Sequence, residues 1–160
     1  MSSLHSLPVL LLGVVATLAS AQAPATVTGT LMIAGKSYKL THVRAQEQKD
    51  PFDAAKKQIR VVLSDVEIST KTMHDDDAYV DLINEEKLHT IEFVFTAAGD
   101  PVTGGTRHDM SEHQFTIGSY TFEKQRFDAT VVAGKVSVVS PKTSSWAFSA
   151  TATFSAPVTR

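Results

Sequence analysis

The sequence predicts an all-β domain, in which an antiparallel meander of about eight strands forms a β-sandwich or a barrel with one short α-helix. Apolar residues recur at every second position in several segments, and this period is typical of strands with one face in a core. Glycine-containing turns separate these segments at short intervals, as in antiparallel hairpins. A chain of 160 residues is long enough for one domain with its own core.

The first half of the chain contains three strand-like segments. "TVTGTLMI" aligns Val27, Leu31 and Ile33 on one face, and "SYKLTHVRAQ" follows it after a turn. "QIRVVLSDVEI" contains enough Val and Ile to be buried on both faces, as in a central strand. The segment from Ala45 to Gln58 is polar with Pro51 in its middle, and we expect an exposed loop there.

The second half continues the alternation. "HTIEFVFTAA" places Ile91, Phe93 and Phe95 inward, and "HQFTI", "YTF", "DATVV" and "KVSVV" supply shorter strands. "SWAFSATATFSA" is the clearest case, and its inward face consists of Trp146, Phe148, Ala150, Ala152 and Phe154. The predicted turns are Ala34-Gly35-Lys36, Gly99-Asp100, Gly118-Ser119 and Ala133-Gly134-Lys135.

The most acidic segment, "HDDDAYVDLINEE", resembles a calcium loop of the EF-hand type only in part. Asp75, Asp77 and Glu86 fit ligand positions 1, 3 and 12, but Tyr79 and Val80 stand where an oxygen ligand and a glycine are required. The pattern favours a short helix near 75–87, with an aspartate N-cap and an acidic first turn. The apolar stripe of this helix consists of Tyr79, Leu82 and Ile83.

The N-terminus predicts export. A mostly apolar run is followed by small residues, with a cleavage site after Ala21 or Ala23, which is typical of a secretory signal peptide and too short for a membrane span. We therefore expect a signal peptide over 1–21, a short lead-in over 22–25 and a single β-rich domain over 26–160. The mature protein is then periplasmic or secreted, with no membrane span after cleavage.

The composition excludes several classes of protein. The absence of cysteine excludes disulfides, thiolate metal sites and a thiol nucleophile. The net charge of −2 lacks the excess of Lys and Arg that nucleic acids require, so we expect no nucleic-acid partner. Asn84 is the only asparagine and is not followed by the Ser or Thr of an N-glycosylation site, which favours a bacterial origin.

One candidate ligand-binding site lies in the segment "SYKLTHVRAQ". Tyr38, His42 and Arg44 fall on one face of a single predicted strand, together with Leu40. Such a face could bind an anion or line a pocket at the mouth of a barrel. An exposed strand face whose polar tips reach solvent explains the same pattern.

A second candidate site is the histidine cluster "RHDMSEH", which offers His108, Asp109 and His113 as ligands for zinc or copper. Its spacing matches no zinc motif, a polar loop between strands explains it as well, and we expect no cofactor. Asp65 and Glu67 lie on one predicted strand face as a candidate carboxylate pair. Motifs of hydrolases, phosphate-binding loops and dinucleotide folds do not occur.

Three segments, "GTLMIAGKSYKLTHVRA", "IRVVLSDVEI" and "IEFVFTAAGDPVTGGTRH", together resemble an exported bacterial β-rich domain family. Its members begin with a G-x-L hairpin and a lysine turn into a His-Val-x-Ala strand, continue with a V-V-L-S/T-D strand, and contain a later Asp/Gly-x-Pro-Val hairpin. The resemblance covers residues 29–108. It implies the fold and the compartment, and no activity or cofactor is assigned to the family.

These observations lead us to expect a non-catalytic binding or accessory module outside the cytoplasm, whose partner is a small molecule or a protein. A metal- or anion-binding protein that uses the His and Asp clusters is the first alternative. A hydrolase is the second alternative, because a catalytic triad can assemble from residues that are distant in sequence.

Overall fold

A computed structural model describes residues 24–108, 111–116, 118–140 and 146–160 of the chain. These residues form ten strands and two short helices, which confirms the predicted β-rich class. The strands are β1 (Thr26–Ile33), β2 (Lys36–Leu40), β3 (His42–Lys49), β4 (Lys57–Ser64), β5 (Thr90–Thr96), β6 (Pro101–His108), β7 (Ser111–Thr116), β8 (Tyr120–Phe127), β9 (Val131–Val139) and β10 (Phe148–Thr159). The helices, α1 (Thr70–Met73) and α2 (Asp76–Asn84), lie between β4 and β5.

All ten strands belong to one open, mixed sheet that is largely antiparallel. The order along the main path is β2-β1-β10-β3-β4-β5-β6-β7, and β9 and β8 continue from the other side of β10. We call β2-β1-β10-β9-β8 the first half-sheet and β3-β4-β5-β6-β7 the second half-sheet. The predicted barrel is wrong, because β2, β7 and β8 each have a single strand neighbour among the described residues and leave the sheet open.

The last strand joins the two half-sheets, so the simple meander is wrong as well. From Phe148 onward, β10 pairs antiparallel with β1 on one side and with β9 on the other. Its end then pairs parallel with β3, through Val158 opposite Ala45 and Thr159 opposite Gln46. Apolar residues alternate along all of β10, which therefore presents one buried face to the core over its whole length.

The strand count differs from the prediction for identifiable reasons. The single strand predicted at "SYKLTHVRAQ" is interrupted at Thr41 and becomes β2 and β3, while β6 is too rich in glycine to show apolar alternation. The turn predicted around Gly134 is wrong, because β9 continues through it. Gly134 is needed for a different reason: any side chain at that position would overlap the ring of Phe122 on β8. The predicted loop is also shorter, since β3 ends at Lys49 and β4 begins at Lys57.

Both half-sheets contribute side chains to one core. Phe95 on β5 and Phe122 on β8 lie on opposite half-sheets, and their ring centroids are only 4.5 Å apart. Phe115 on β7 stacks against Phe148 on β10 at 5.9 Å, which is a second contact between the half-sheets. Burial of a side chain of this size stabilises the folded state by about 1.5–3 kcal/mol. The largest fully buried residues include Leu31, Ile33, Leu40, Leu63, Phe93 and Phe95.

A second, smaller cluster packs the helices against the outer face of the second half-sheet. Val62 points outward from β4, as the prediction of a strand buried on both faces requires, and Ile68, Met73, Tyr79, Ile83 and Leu88 cover it. The predicted helix is confirmed as α2, with Asp75 as its N-cap accepting a hydrogen bond from Ala78 N at 3.1 Å. The additional helix, α1, begins at a serine cap.

We expect Ile83→Asp to lower the free energy of unfolding by about 3 kcal/mol or more, because it places a carboxylate in this apolar cluster. Ile83 is only 4% exposed. Asp76→Ala is the control and should cost less than about 0.5 kcal/mol, since Asp76 is exposed and is not the capping residue. Urea denaturation measures both, and equal losses for the two variants would contradict this role of α2.

The ring of Phe115 lies directly over the backbone of β6. Gly104 stands opposite Phe115 in the β6-β7 register. A Cβ at Gly104 would lie 2.5 Å from the carbonyl oxygen of Glu92 and would overlap the ring of Phe115. The neighbouring Gly105 faces the other way, and the nearest atom to its Cβ would be 3.4 Å away. The core therefore requires a glycine at the first position but not at the second.

Gly104→Ala should lower the free energy of unfolding by about 1–3 kcal/mol, because the phenyl ring and the strand have to move apart. Gly105→Ala is a matched control one residue away, and we expect it to change stability by less than about 0.5 kcal/mol. Thermal and urea denaturation of the two variants test this difference. The packing described for Phe115 is incorrect if Gly105→Ala is the more destabilising change.

The predicted signal peptide over 1–21 lies outside the described residues. Of the predicted lead-in over 22–25, residues 24 and 25 are described and have no regular structure, and β1 begins at Thr26. Within the described ranges, neither helix is long or apolar enough to cross a membrane.

Candidate functional site

A cavity of about 360 Å³ opens where the two half-sheets diverge. β1 begins beside Ser155 of β10, whereas β3 meets β10 only from Ala45 onward, so a gap separates the start of β1 from the start of β3. The walls of this gap come from the lead-in and β10 (Ala25, Pro157 and Thr159), from Thr41 and the start of β3 (His42 to Ala45), and from the end of β4 and beyond (Ser64, Glu67 and Ile68). Its volume falls in the range of small-molecule sites.

Two of the three residues predicted as ligand-binding line this cavity. His42 and Arg44 are two residues apart on β3, and both side chains are half-buried at the cavity wall. Tyr38 on β2 does not line it, and its ring stacks on His89 instead, with 3.6 Å between ring centroids. The structure therefore brings His42 and Arg44 together and separates Tyr38 from them.

The separation arises at Thr41, where the chain leaves the first half-sheet and joins the second. The backbone N–H of Thr41 donates to Ser64 O at 2.9 Å, which holds the bend against the end of β4. Leu40 and Val43 are both buried in the core although they are three residues apart. The alternation of side chains therefore shifts by one residue at the bend, and the predicted single face is wrong.

The guanidinium of Arg44 provides the positive charge of the cavity. Its Nη1 donates to Thr70 Oγ1 at 3.1 Å, and its Nη2 lies 3.8 Å from Glu67 Oε1. The side chain of Glu67 is 75% exposed, so this ion pair is long, solvated and weak. Because a guanidinium has five N–H donors, Arg44 keeps donors for a ligand.

A second polar unit, formed by Tyr38, Asp65 and His89, lies at the same end of the second half-sheet. His89 Nδ1 donates to Asp65 Oδ2 at 2.7 Å, and the backbone N–H of His89 donates to Asp65 Oδ1 at 2.9 Å. The predicted pairing of Asp65 with Glu67 is wrong, because Asp65 binds His89 whereas Glu67 faces Arg44.

Sequence reasoning missed His89, although a signal for it exists. β4 and β5 pair antiparallel with Ser64 opposite Thr90. The residues next to this pair, Asp65 and His89, must therefore meet just beyond the ends of the strands. Pairing the two most apolar segments of the chain in this register would have found the contact.

The Asp65–His89 pair contains the acid and the base of a hydrolase triad without the nucleophile. His89 Nε2 is buried and has no hydrogen-bond partner in the described part of the chain. A catalytic base needs a hydroxyl or a substrate proton within hydrogen-bond reach of this atom. The pair therefore fixes the position of a buried imidazole under Tyr38 and leaves its Nε2 closed to a substrate.

The histidines of the second predicted site surround an aromatic ring. The ring centroids of His108 and His113 lie 5.8 Å and 6.1 Å from that of Trp146, both in edge-on arrangements. Asp109, the third predicted ligand, lies outside the described residues. Over the described ranges, no three His, Asp or Glu side chains come together in a way that could hold a metal ion.

An ion pair and a tyrosine lie between α2 and the outer face of the second half-sheet. Arg60 donates through Nε and Nη2 to Glu92 Oε2, at 2.9 Å and 2.6 Å, and its guanidinium lies 5.5 Å from the ring centre of Tyr79. The Tyr79 hydroxyl shares a hydrogen bond of 2.9 Å with Thr90 Oγ1. Burial, reinforced by the negative charge of Glu92, raises the pKa of Tyr79 to about 12.

We expect this raised pKa to make stability fall at high pH. An unfolded tyrosine ionises near pH 10, so the buried hydroxyl of Tyr79 contributes fully below pH 10, and this contribution is lost as the pH rises towards 12. The loss is on the order of 3 kcal/mol. Tyr79→Phe should show a shallower loss over the same range in urea denaturation, and an unchanged slope would contradict the assignment. Burial also raises the pKa of Tyr120 to about 12, so Tyr120→Phe should behave similarly.

Comparison with known proteins gives no match to a family model, to a curated protein or to a solved structure. The main candidate site is therefore the cavity between β1 and β3, which the side chains of His42 and Arg44 both line.

Proposed function

We propose that this protein is a non-catalytic module that binds a small carboxylate-bearing molecule in the cavity between β1 and β3. The observation that carries the proposal is the position of Arg44, whose guanidinium faces a cavity of about 360 Å³ and a single, loosely held carboxylate. Arginine is suited to carboxylates because its N–H groups match the two oxygens in a planar, bidentate arrangement.

The surroundings of Arg44 suit a small organic anion better than an inorganic one. Ala25, Ala45, Ile68 and Pro157 supply apolar surface to the same cavity. An organic acid can place its carbon chain against these side chains while its carboxylate contacts the guanidinium, and sites for small molecules combine features in this way. Glu67 then acts as a competitor, because its carboxylate lies where a ligand carboxylate would bind.

This competition gives a test with propanoate as the probe. Glu67→Gln should strengthen propanoate binding about 2- to 5-fold, because the ligand no longer displaces an exposed ion pair. Arg44→Gln should weaken binding at least about 10-fold, because it removes charged hydrogen bonds. Titration followed by NMR of the backbone amides measures both affinities and locates the site.

Glu123→Gln provides the matched control. Glu123 pairs with Lys135 at 3.7 Å with its side chain 72% exposed, and it lies on β8, away from the cavity. This variant removes the same charge from the protein and should leave the affinity for propanoate unchanged. If Glu67→Gln and Glu123→Gln raised the affinity for propanoate equally, the cause would be the net charge of the protein and not competition by Glu67. An affinity for propanoate that Arg44→Gln leaves unchanged would overturn the proposal.

We retain the predicted location of the protein outside the cytoplasm. The apolar N-terminal run supports export, and we place the binding module in the periplasm or the medium on that pattern. The resemblance to an exported bacterial β-rich family is consistent with this setting and stays a prediction. We also infer that the half-sheets act as the two layers of a β-sandwich, which the contact between Phe95 and Phe122 supports.

A further inference from the structure

We infer that the ligand of this cavity is a hydroxycarboxylate, with its carboxylate on Arg44 and its hydroxyl donating a hydrogen bond to His42 Nε2. The inference rests on the proposed function and specifies the class of ligand. It is based on the hydrogen bonds that the hydroxyl groups of the cavity wall donate, because these bonds decide whether a ligand atom meets a donor or an acceptor there.

Thr41 determines which nitrogen of His42 carries the proton. Thr41 Oγ1 lies 2.9 Å from the backbone oxygen of Asp65, and it must donate to this carbonyl, which can only accept. The same Oγ1 lies 2.9 Å from His42 Nδ1. Since the hydroxyl has a single proton, it accepts the second hydrogen bond, and His42 Nδ1 is the donor. A neutral imidazole in this state has its lone pair on Nε2.

The lone pair on His42 Nε2 is open to a ligand. No side chain in the described part of the molecule is hydrogen-bonded to this nitrogen, and it is not among the buried polar atoms. His42 and Arg44 face the cavity from alternate positions of one strand, which places their α-carbons roughly 7 Å apart. A carboxylate and a hydroxyl on neighbouring carbon atoms fit between them, because the arginine side chain is long and can adjust.

The other hydroxyl groups of the cavity wall also donate to backbone carbonyl oxygens, and not to the cavity. Ser64 Oγ donates to Val66 O at 2.7 Å, and Thr159 Oγ1 donates to Ala45 O at 3.1 Å. Among the described side chains that line the cavity, Arg44 is then the one with free N–H donors, and the remaining polar atoms present lone pairs. A ligand that offers only acceptors beyond its carboxylate leaves these lone pairs unsatisfied, whereas a hydroxyl group satisfies one of them.

Three acids of nearly equal size test the inference: lactate, propanoate and pyruvate. They carry, next to the carboxylate, a hydroxyl donor, no polar group and a carbonyl acceptor, respectively. At about pH 8, where imidazoles are neutral, lactate should bind about 3- to 10-fold more tightly than propanoate. Pyruvate should bind no more tightly than propanoate. Equal affinities for lactate and propanoate would overturn the hydroxycarboxylate assignment while leaving the proposed function intact.

Substitutions assign the preference to specific side chains. His42→Ala should abolish the preference for lactate and largely retain propanoate binding, because Arg44 is unchanged. Thr41→Val should reduce the preference for lactate, because without the hydroxyl group both tautomers of the His42 imidazole can form. Thr41→Ser keeps the hydroxyl group and should retain the preference. A preference for lactate that survives His42→Ala would show that another group recognises the hydroxyl, and the role given to His42 would be wrong.

The tautomer itself can be measured without a ligand. Nitrogen-15 NMR of the imidazole rings should show the proton of His42 on Nδ1 in the wild-type protein and a mixture of both forms in Thr41→Val. A proton on Nε2 in the wild-type protein contradicts the inference whatever the affinities are. Failure of all three acids to bind overturns the proposed function instead, so the two failures can be told apart.

Discussion

The structure depends on a single exchange of hydrogen-bond partners along β10. Up to Ser155 this strand pairs with β1, and from Val158 it pairs with β3, so it belongs to both half-sheets. The exchange lets one apolar face continue into a core that both half-sheets share. It also forces β1 and β3 apart at the point of exchange, and the cavity is the space that remains between them. The feature that unites the fold thus also creates its candidate binding site.

The polar side chains of that cavity form hydrogen bonds with the surrounding backbone, and these bonds decide which of their atoms remain for a ligand. Asp65 lies just past the end of β4 and serves two groups: its carboxylate holds His89, and its carbonyl oxygen accepts from Thr41. Because Thr41, Ser64 and Thr159 all donate to backbone carbonyl oxygens, none of them offers a proton to a ligand. The hydrogen bonds that the backbone needs where the half-sheets diverge therefore determine which ligand groups the site can bind.

The predictions succeeded where a residue's environment is set by its near neighbours. The alternation in β1, β4, β5 and β10 identified inward residues such as Leu31, Phe93 and Phe154, all of which are buried. The aspartate cap and apolar stripe of α2 depend on spacings of three and four residues, and both are present. The turn predicted at Gly134 failed, because the glycine responds to the ring of Phe122, which approaches from a different strand.

The sequence by itself determined the β-rich class, the faces of the main strands, the capped helix and the candidacy of His42 and Arg44, because period and capping are local properties of the chain. Only the tertiary structure decided the open sheet, the place of β10 and the separation of Tyr38 from the other two candidates. A one-residue shift at Thr41 and the pairing of Asp65 with His89 arise from contacts between distant segments. Local sequence patterns do not reveal such contacts, because the strand that packs against a bend determines which side chains of the bend are buried.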